Sequence, residues 1–161
     1  MLRLRAAAES DLADIFELIG ELADYERLRE QMVGSIEDLR RHLFTEPRYA
    51  HVIMADWDGG VAGFALYFFN YSTFLCRPGL YLEDLFVRPE FRGRGIGLSL
   101  LQELERRARE GGCGRFEWSV LDWNQSAIDF YLEFGARPRE GWTLYRKQLS
   151  TATPRCRGSP T

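Results

Sequence analysis

The chain has 161 residues, 45% of them hydrophobic and 28% charged, and a formal net charge of -3. This length and balance predict one globular domain that buries a core without disulfides or metal, and they exclude a disordered chain. The acidic balance excludes a general nucleic-acid binder, which needs a basic face for phosphate, and it permits a cationic substrate.

Leu2 to Arg5 predicts a short first strand. Leu12, Ile15, Phe16, Ile19, Leu22 and Ala23 recur at helical spacing, so an amphipathic helix is expected from about Glu9 to Arg27. Ser35 and Asp38 have the spacing of a capping box for a second helix, Ile36 to Phe44. Tyr49 to Trp57, Asp58-Gly59-Gly60 and Val61 to Tyr71 read as a hairpin. Ser72 to Gly79 reads as a loop, Leu80 to Val87 as a strand and Gly97 to Arg109 as a helix. Arg115 to Leu121 alternates like a strand, Asn124 can cap a helix from Gln125 to Phe134, and Trp142 to Leu149 reads as a last strand. The strand–helix–strand order around Gly97 to Arg109 implies one parallel, right-handed crossover. The class is mixed α/β: a central, mostly antiparallel sheet with one parallel β-α-β step, flanked by helices. One domain is expected over residues 1–149, with a loose tail over residues 150–161 that is rich in Ser, Thr, Pro and Arg.

Cys76, Cys113 and Cys156 match neither a CxxC pair nor a zinc pattern, so no disulfide and no metal site are expected. Charged Arg3 and Arg5 without an apolar h-region argue against a secretory signal, and no run reaches the ~18 apolar residues of a membrane span. A cytoplasmic protein with no membrane partner is expected.

Arg92-Gly93-Arg94-Gly95-Ile96-Gly97 carries the most information. Alone, the hexamer reads equally well as a turn that needs positive φ. The strand before it and the helix after it favour a second reading. Glycines let the backbone approach a ligand, and the helix start supplies free N–H groups and a positive dipole end. Together these form an anion cradle, most often for phosphate. It is not a P-loop, because no Gly-Lys-Ser/Thr follows.

Glu83 and Asp84 are adjacent within the strand, so simple alternation sends one carboxylate to each face. Either one face is wet, or one borders a cleft where a carboxylate accepts a proton or holds a cation. Tyr131 is either a core tyrosine or an acid for a thiolate leaving group. His42 and His51 have no evident partner in the sequence.

The order of these pieces resembles the GNAT superfamily of acyl-CoA-dependent N-acetyltransferases, with Arg92 to Gly97 as its pyrophosphate loop. The closer similarity is to the spermidine/spermine N-acetyltransferase family and its thialysine N-ε-acetyltransferase branch. It is carried by Glu21-Leu22-Ala23-Asp24-Tyr25-Glu26, Tyr81-Leu82-Glu83-Asp84, Val120-Leu121-Asp122-Trp123-Asn124-Gln125 and Glu140-Gly141-Trp142, and it runs from about Leu4 to Leu149. The chain departs from the family at Phe74, where polyamine enzymes tend to have Trp, at Ala127, which stands for a family serine, and in a longer Ser72 to Gly79 loop.

The resemblance implies acetyl-CoA as cosubstrate and no metal. Leu85, Phe86 and Val87 would face the pantetheine arm. Arg92, Gly93, Arg94, Gly95, Ile96, Gly97 and Leu98 would hold the pyrophosphate. Asn124, Gln125, Ser126 and Ala127 would hold the cofactor from the next strand end. Tyr131 would be the general acid and Glu83 the base that deprotonates the amine. Tyr25, Glu26, Glu83, Asp84, Glu117, Trp118, Ser119 and Glu140 would wall the acceptor site of a homodimer. The expected activity is acetyl transfer to a primary amine of a small, thialysine- or polyamine-like molecule by direct attack. The alternatives are a peptide or protein amine as acceptor, or a non-catalytic acetyl-CoA sensor.

Overall fold

The computed structural model describes residues 1–149. The expected loose tail, with Cys156, lies outside the described residues. Five strands form one sheet in the order β1-β2-β3-β4-β5: β1 is Leu2–Ala6, β2 His51–Trp57, β3 Gly60–Ser72, β4 Arg77–Val87 and β5 Arg115–Trp118. The first three pairings are antiparallel, and β4 with β5 is parallel. The helices are α1 (Leu12–Tyr25), α2 (Ile36–Phe44), α3 (Ile96–Glu110), which supplies the β4–β5 crossover, and α4 (Gln125–Glu133).

Both faces of the sheet are covered, which is why Val52-Ile53-Met54-Ala55 is apolar without a break. On one face Val52, Met54, Phe64 and Phe86 pack against Ile15 and Leu18 of α1 and Leu43 of α2. On the other, Ile53, Ala55, Leu80 and Leu82 meet Leu100, Leu101 and Leu104 of α3. The second face is a dry core, since those three α3 leucines are fully buried.

Polar ties fix the layers. Arg5 donates to both oxygens of the buried Asp11, at 2.6 and 2.9 Å, and to Asp56 at 2.7 Å, so one guanidinium joins β1, β2 and the start of α1. Arg88 donates to Glu21 at 2.7 and 2.9 Å and to the Val61 carbonyl at 3.1 Å, which holds the end of β4 beneath α1. The expected cap of α2 forms, with the Asp38 amide donating to Ser35 Oγ at 3.1 Å.

Several boundaries differ from the sequence reading. The helix expected from Glu9 breaks into a short 3₁₀ turn, Glu9–Asp11, and α1 proper, because Asp11 turns inward to Arg5. Half of the loop expected over Ser72 to Gly79 is strand. β4 starts at Arg77, Tyr71 pairs with Pro78, and only a tight turn separates β3 from β4. Pro is tolerated there because it stands at the start of a strand. β5 ends at Trp118 rather than Leu121.

The strand expected over Trp142 to Leu149 does not form within this chain. The residues are irregular, and Trp142 and Tyr145 are 73% and 90% exposed. Alternation marks a segment as fit for a sheet, but pairing needs an edge, and here none of the five strands takes it up.

Candidate active site

The cleft begins where β4 and β5 part. Their last pair is Leu82 with Trp118, and beyond it the two strands separate. At the same point β4 bulges: Tyr67 pairs with Leu82 and Leu66 with Asp84, which leaves Glu83 without a partner on β3. A bulge adds one residue to one strand and bends it. It also resets the alternation. Leu80 and Leu82 face α3 before the bulge; after it, Leu85 and Val87 face α3 and Phe86 faces α1. The expectation of one carboxylate on each face is therefore corrected, because Glu83 and Asp84 both line one cleft of about 440 Å³. That volume suits a ligand of substantial size.

One wall is the glycine turn. A short 3₁₀ turn, Pro89–Phe91, leads into it, and α3 starts at Ile96 with Gly95 as its cap. Gly93 and Gly95 have φ of +73° and +75°, the left-handed region that favours glycine. A Cβ at either would meet nothing within 4 Å, so the demand there is conformational and the space above the turn is open. No side chain caps the first turn of α3, and its amides stay available to an anion. Arg92 leans back into the wall. Its Nε donates to the Val87 carbonyl at 2.9 Å, and its guanidinium lies 4.9 Å from the Tyr25 ring and 5.6 Å from that of Phe86. Arg94 turns away to Trp57 and Phe91 and does not line the cleft.

The opposite wall is α4. Asn124 is buried, and its side-chain oxygen accepts from the Ala127 amide at 3.3 Å, the helix cap expected for it. Ser126 and Ala127 line the cleft, whereas Gln125 bonds Asp129 on the outside. Tyr131 packs on Trp118 and Phe130, with ring centroids 5.0 and 5.5 Å away. Its hydroxyl is pushed up to about 12, first by burial and then by Glu26, Asp84 and Tyr25. This phenol stays protonated through the neutral range, as a proton donor must.

The acidic end holds Glu26, Glu83 and Asp84. Asp84 is pushed up to about 7, first by burial and then by the charges of Glu83 and Glu26. Burial likewise raises Glu26. Three carboxyl groups with no cationic partner among the described residues make a site that gains when a cation enters, because the cation relieves both desolvation and repulsion.

Of the sequence-predicted residues, Leu85, Phe86, Val87, Ile96, Gly97, Leu98 and Ser119 also line the cleft. Ser119 is hydrogen-bonded to the Tyr81 hydroxyl at 2.8 Å. Glu117 and Trp118 lie outside it. Glu117 pairs with Arg115 at 3.1 Å, and Trp118 supports Tyr131 from behind. Glu140 sits in the exposed segment that follows α4. Leu22, Phe91, Val120 and Phe130 line the cleft without having been singled out. The sequence signal for Phe130 is its place beside Tyr131 on the same helix; in the structure its ring lies 3.5 Å from a Cβ placed on Gly97.

The sheet thus splays beside a glycine turn and an uncapped helix start, an arrangement that suits an anionic ligand. The model of the acetyltransferase (GNAT) family matches residues 12–136. The chain belongs to this family and is an N-acetyltransferase. It is 39% identical over 154 residues to the thialysine N-ε-acetyltransferase of Sus scrofa, covering 89% of this chain and 90% of that one. It is 41% identical over 111 residues to the L-ornithine N5-acetyltransferase of Arabidopsis thaliana, covering 69% of this chain and 46% of the relative. Among solved structures, an integron cassette protein from V. cholerae superposes with a TM-score of 0.77 at 28% identity, covering 91% and 92% of the two chains. No helix among the described residues is long and apolar enough to cross a membrane.

Proposed function

We propose that this chain transfers the acetyl group of acetyl-CoA to a primary amine of a small molecule of the thialysine, ornithine or polyamine kind, by direct attack. The observation that carries the reading is the meeting in one cleft of an open glycine turn, a protonated Tyr131 and an acidic end made by Glu26, Glu83 and Asp84. The names of the relatives support it, since both specify a side-chain amine as the acceptor.

The residues suit the cofactor on their own evidence. The start of α3 has no side-chain cap, and Gly93 and Gly95 border open space, as a diphosphate requires. When bound there, acetyl-CoA supplies the thioester; the rest falls to the chain. An alkyl ammonium has a pKa near ~10.4, so only about one molecule in a thousand is neutral at pH 7. Glu26 and Asp84 hold the cation, and Glu83, the exposed member of the three, takes its proton directly or through water. Main-chain N–H groups near Leu85 stabilise negative charge on the acetyl oxygen. Tyr131 gives its proton to the departing thiolate.

The working form in this proposal is a homodimer. The free outer edge of β5 and the exposed Trp142, Leu144, Tyr145 and Leu149 support it, for a lone chain leaves that much apolar surface wet.

The test is a panel of acceptors with acetyl-CoA: thialysine, ornithine, spermidine, lysine and a lysine-containing peptide. Turnover of the free amines in preference to the peptide is expected. Turnover of the peptide alone would replace this reading with a protein acetyltransferase, and CoA binding without turnover of any amine would replace it with a sensor.

A further inference from the structure

A second cavity, of about 80 Å³, lies at the start of β2, and none of the residues around it lines the cleft. Its floor is apolar: Ala6 and Ala7 at the end of β1, Leu43 and Phe44 at the end of α2, and Val52. Its polar lining is Arg48, His51, Tyr67 and Arg107. No carboxylate lines it, although the chain has 24 acidic residues and a net charge of -3.

The donors converge and are only partly used. The Arg107 Nε donates to Glu103 at 2.8 Å, and its Nη1 donates to the Tyr67 hydroxyl at 3.2 Å. Among the described residues its Nη2 has no partner. Tyr67 thus accepts from Arg107 and keeps its own O–H to give. Arg48 meets Glu46 through Nε at 3.2 Å, which leaves its two Nη groups without partners among the described residues. His51 stacks beside Tyr67 and Phe69, with ring centroids 5.4 and 6.0 Å away, and neither ring nitrogen has a hydrogen-bond partner among the described residues. The ring is half-buried.

We infer that this cavity is a binding site for a small oxyanion of the phosphate class, held by Arg48, His51, Arg107 and the Tyr67 hydroxyl. Planar guanidinium forks and an imidazolium match the oxygens of a phosphate, and charge-assisted hydrogen bonds are the strong ones. The volume admits an ion or the phosphoryl end of a larger molecule, and not the whole of a nucleotide. Two carboxylates stand behind the arginines, Glu46 from the loop before β2 and Glu103 from α3, and they orient the guanidinium groups without entering the cavity. Without an anion, burial, Arg48 and Arg107 hold the His51 ring below its usual pKa against the opposing pull of Glu46. A bound dianion reverses that balance and draws a proton onto the ring.

The chain offers its own reporter, because it has only two histidines, and His42 stands outside the cavity against Tyr49. The full chain, in buffer free of phosphate, is titrated with inorganic phosphate and separately with glycerol phosphate, while the ring resonances of both histidines are followed from pH 5 to 9. Sodium chloride at matched ionic strength is the control, and His51→Gln assigns the signals. Saturable binding is expected to raise the His51 midpoint by about one pH unit while His42 stays in place. Arg107→Gln and the more exposed Arg48→Gln are each expected to weaken saturation about tenfold or more. Arg48 is on the surface, so its variant folds even if the other does not. Preference for glycerol phosphate would assign the cavity to a phosphorylated metabolite, and preference for phosphate to the free ion. An unmoved His51 with both probes, or equal movement of both histidines, overturns the inference. Acetyl transfer is unaffected by either result.

Discussion

Tyr25 and Asn124 hold the two sides of the cleft together. The phenol at the last position of α1 donates to the side-chain oxygen that also caps α4, at 3.4 Å and across 99 residues of sequence. Asn124 thus has two structural duties before any ligand arrives. Asn124→Ala is expected to cost about 1 kcal/mol of stability, the usual worth of a helix cap, read as a lowered thermal midpoint. Weaker CoA binding is expected with it, because the start of α4 borders the cleft.

Tyr131→Phe removes one oxygen and leaves the packing on Trp118 and Phe130 in place. If the phenol is the acid, kcat falls by about 10² to 10⁴ while CoA affinity holds. Steady-state rates and a CoA titration on the same preparation separate the two effects. Unchanged turnover removes Tyr131 from that role.

Asp84 gives a pH signature. Its folded-state pKa is about 7 against 3.8 for the free side chain. The native state therefore holds the proton more tightly than the unfolded chain does. Stability is fullest below the unfolded value, falls as pH rises through the folded one and is flat above it. Asp84→Asn is expected to be more stable than the parent at pH 8 and to lose that advantage toward pH 4, by thermal unfolding across the range. Its acceptor KM is expected to worsen most above pH 7, where the parent carboxylate is charged.

The exposed segment after α4 tests the dimer. Trp142→Ser with Tyr145→Ser is expected to shift a sedimentation profile from dimer to monomer while the fold stays intact. A parent chain that sediments as a monomer at high concentration would exclude the homodimer.

The glycine turn was legible because its cause is local. Two residues need positive φ, and glycine is the residue that supplies it. The caps at Ser35 and Asn124 were legible for the same reason, since each side chain reaches only three residues ahead. The carboxylates were half legible. Their place on the strand could be read, but the bulge at Glu83 depends on how β3 pairs with β4, and that shift alone puts Asp84 on the Phe86 side. Pairing also decided what local pattern leaves open. Trp142 to Leu149 carries a strand pattern without naming a partner, and Glu117 and Trp118 fall behind the cleft because β5 stops pairing at Trp118. Periodicity fixes which residues share a face; it does not say where two strands part.

Central to the proposed function is the grip of main-chain amides at the glycine turn on the diphosphate of CoA. Calorimetric titration of CoA into the folded chain tests this most directly, with Gly95→Ala beside it. Expected are a saturable heat with one site per chain and a clear loss of affinity in the variant, whose alanine must take a backbone conformation costing about 1–2 kcal/mol. No heat from the well-folded parent, or equal binding by parent and variant, would contradict it.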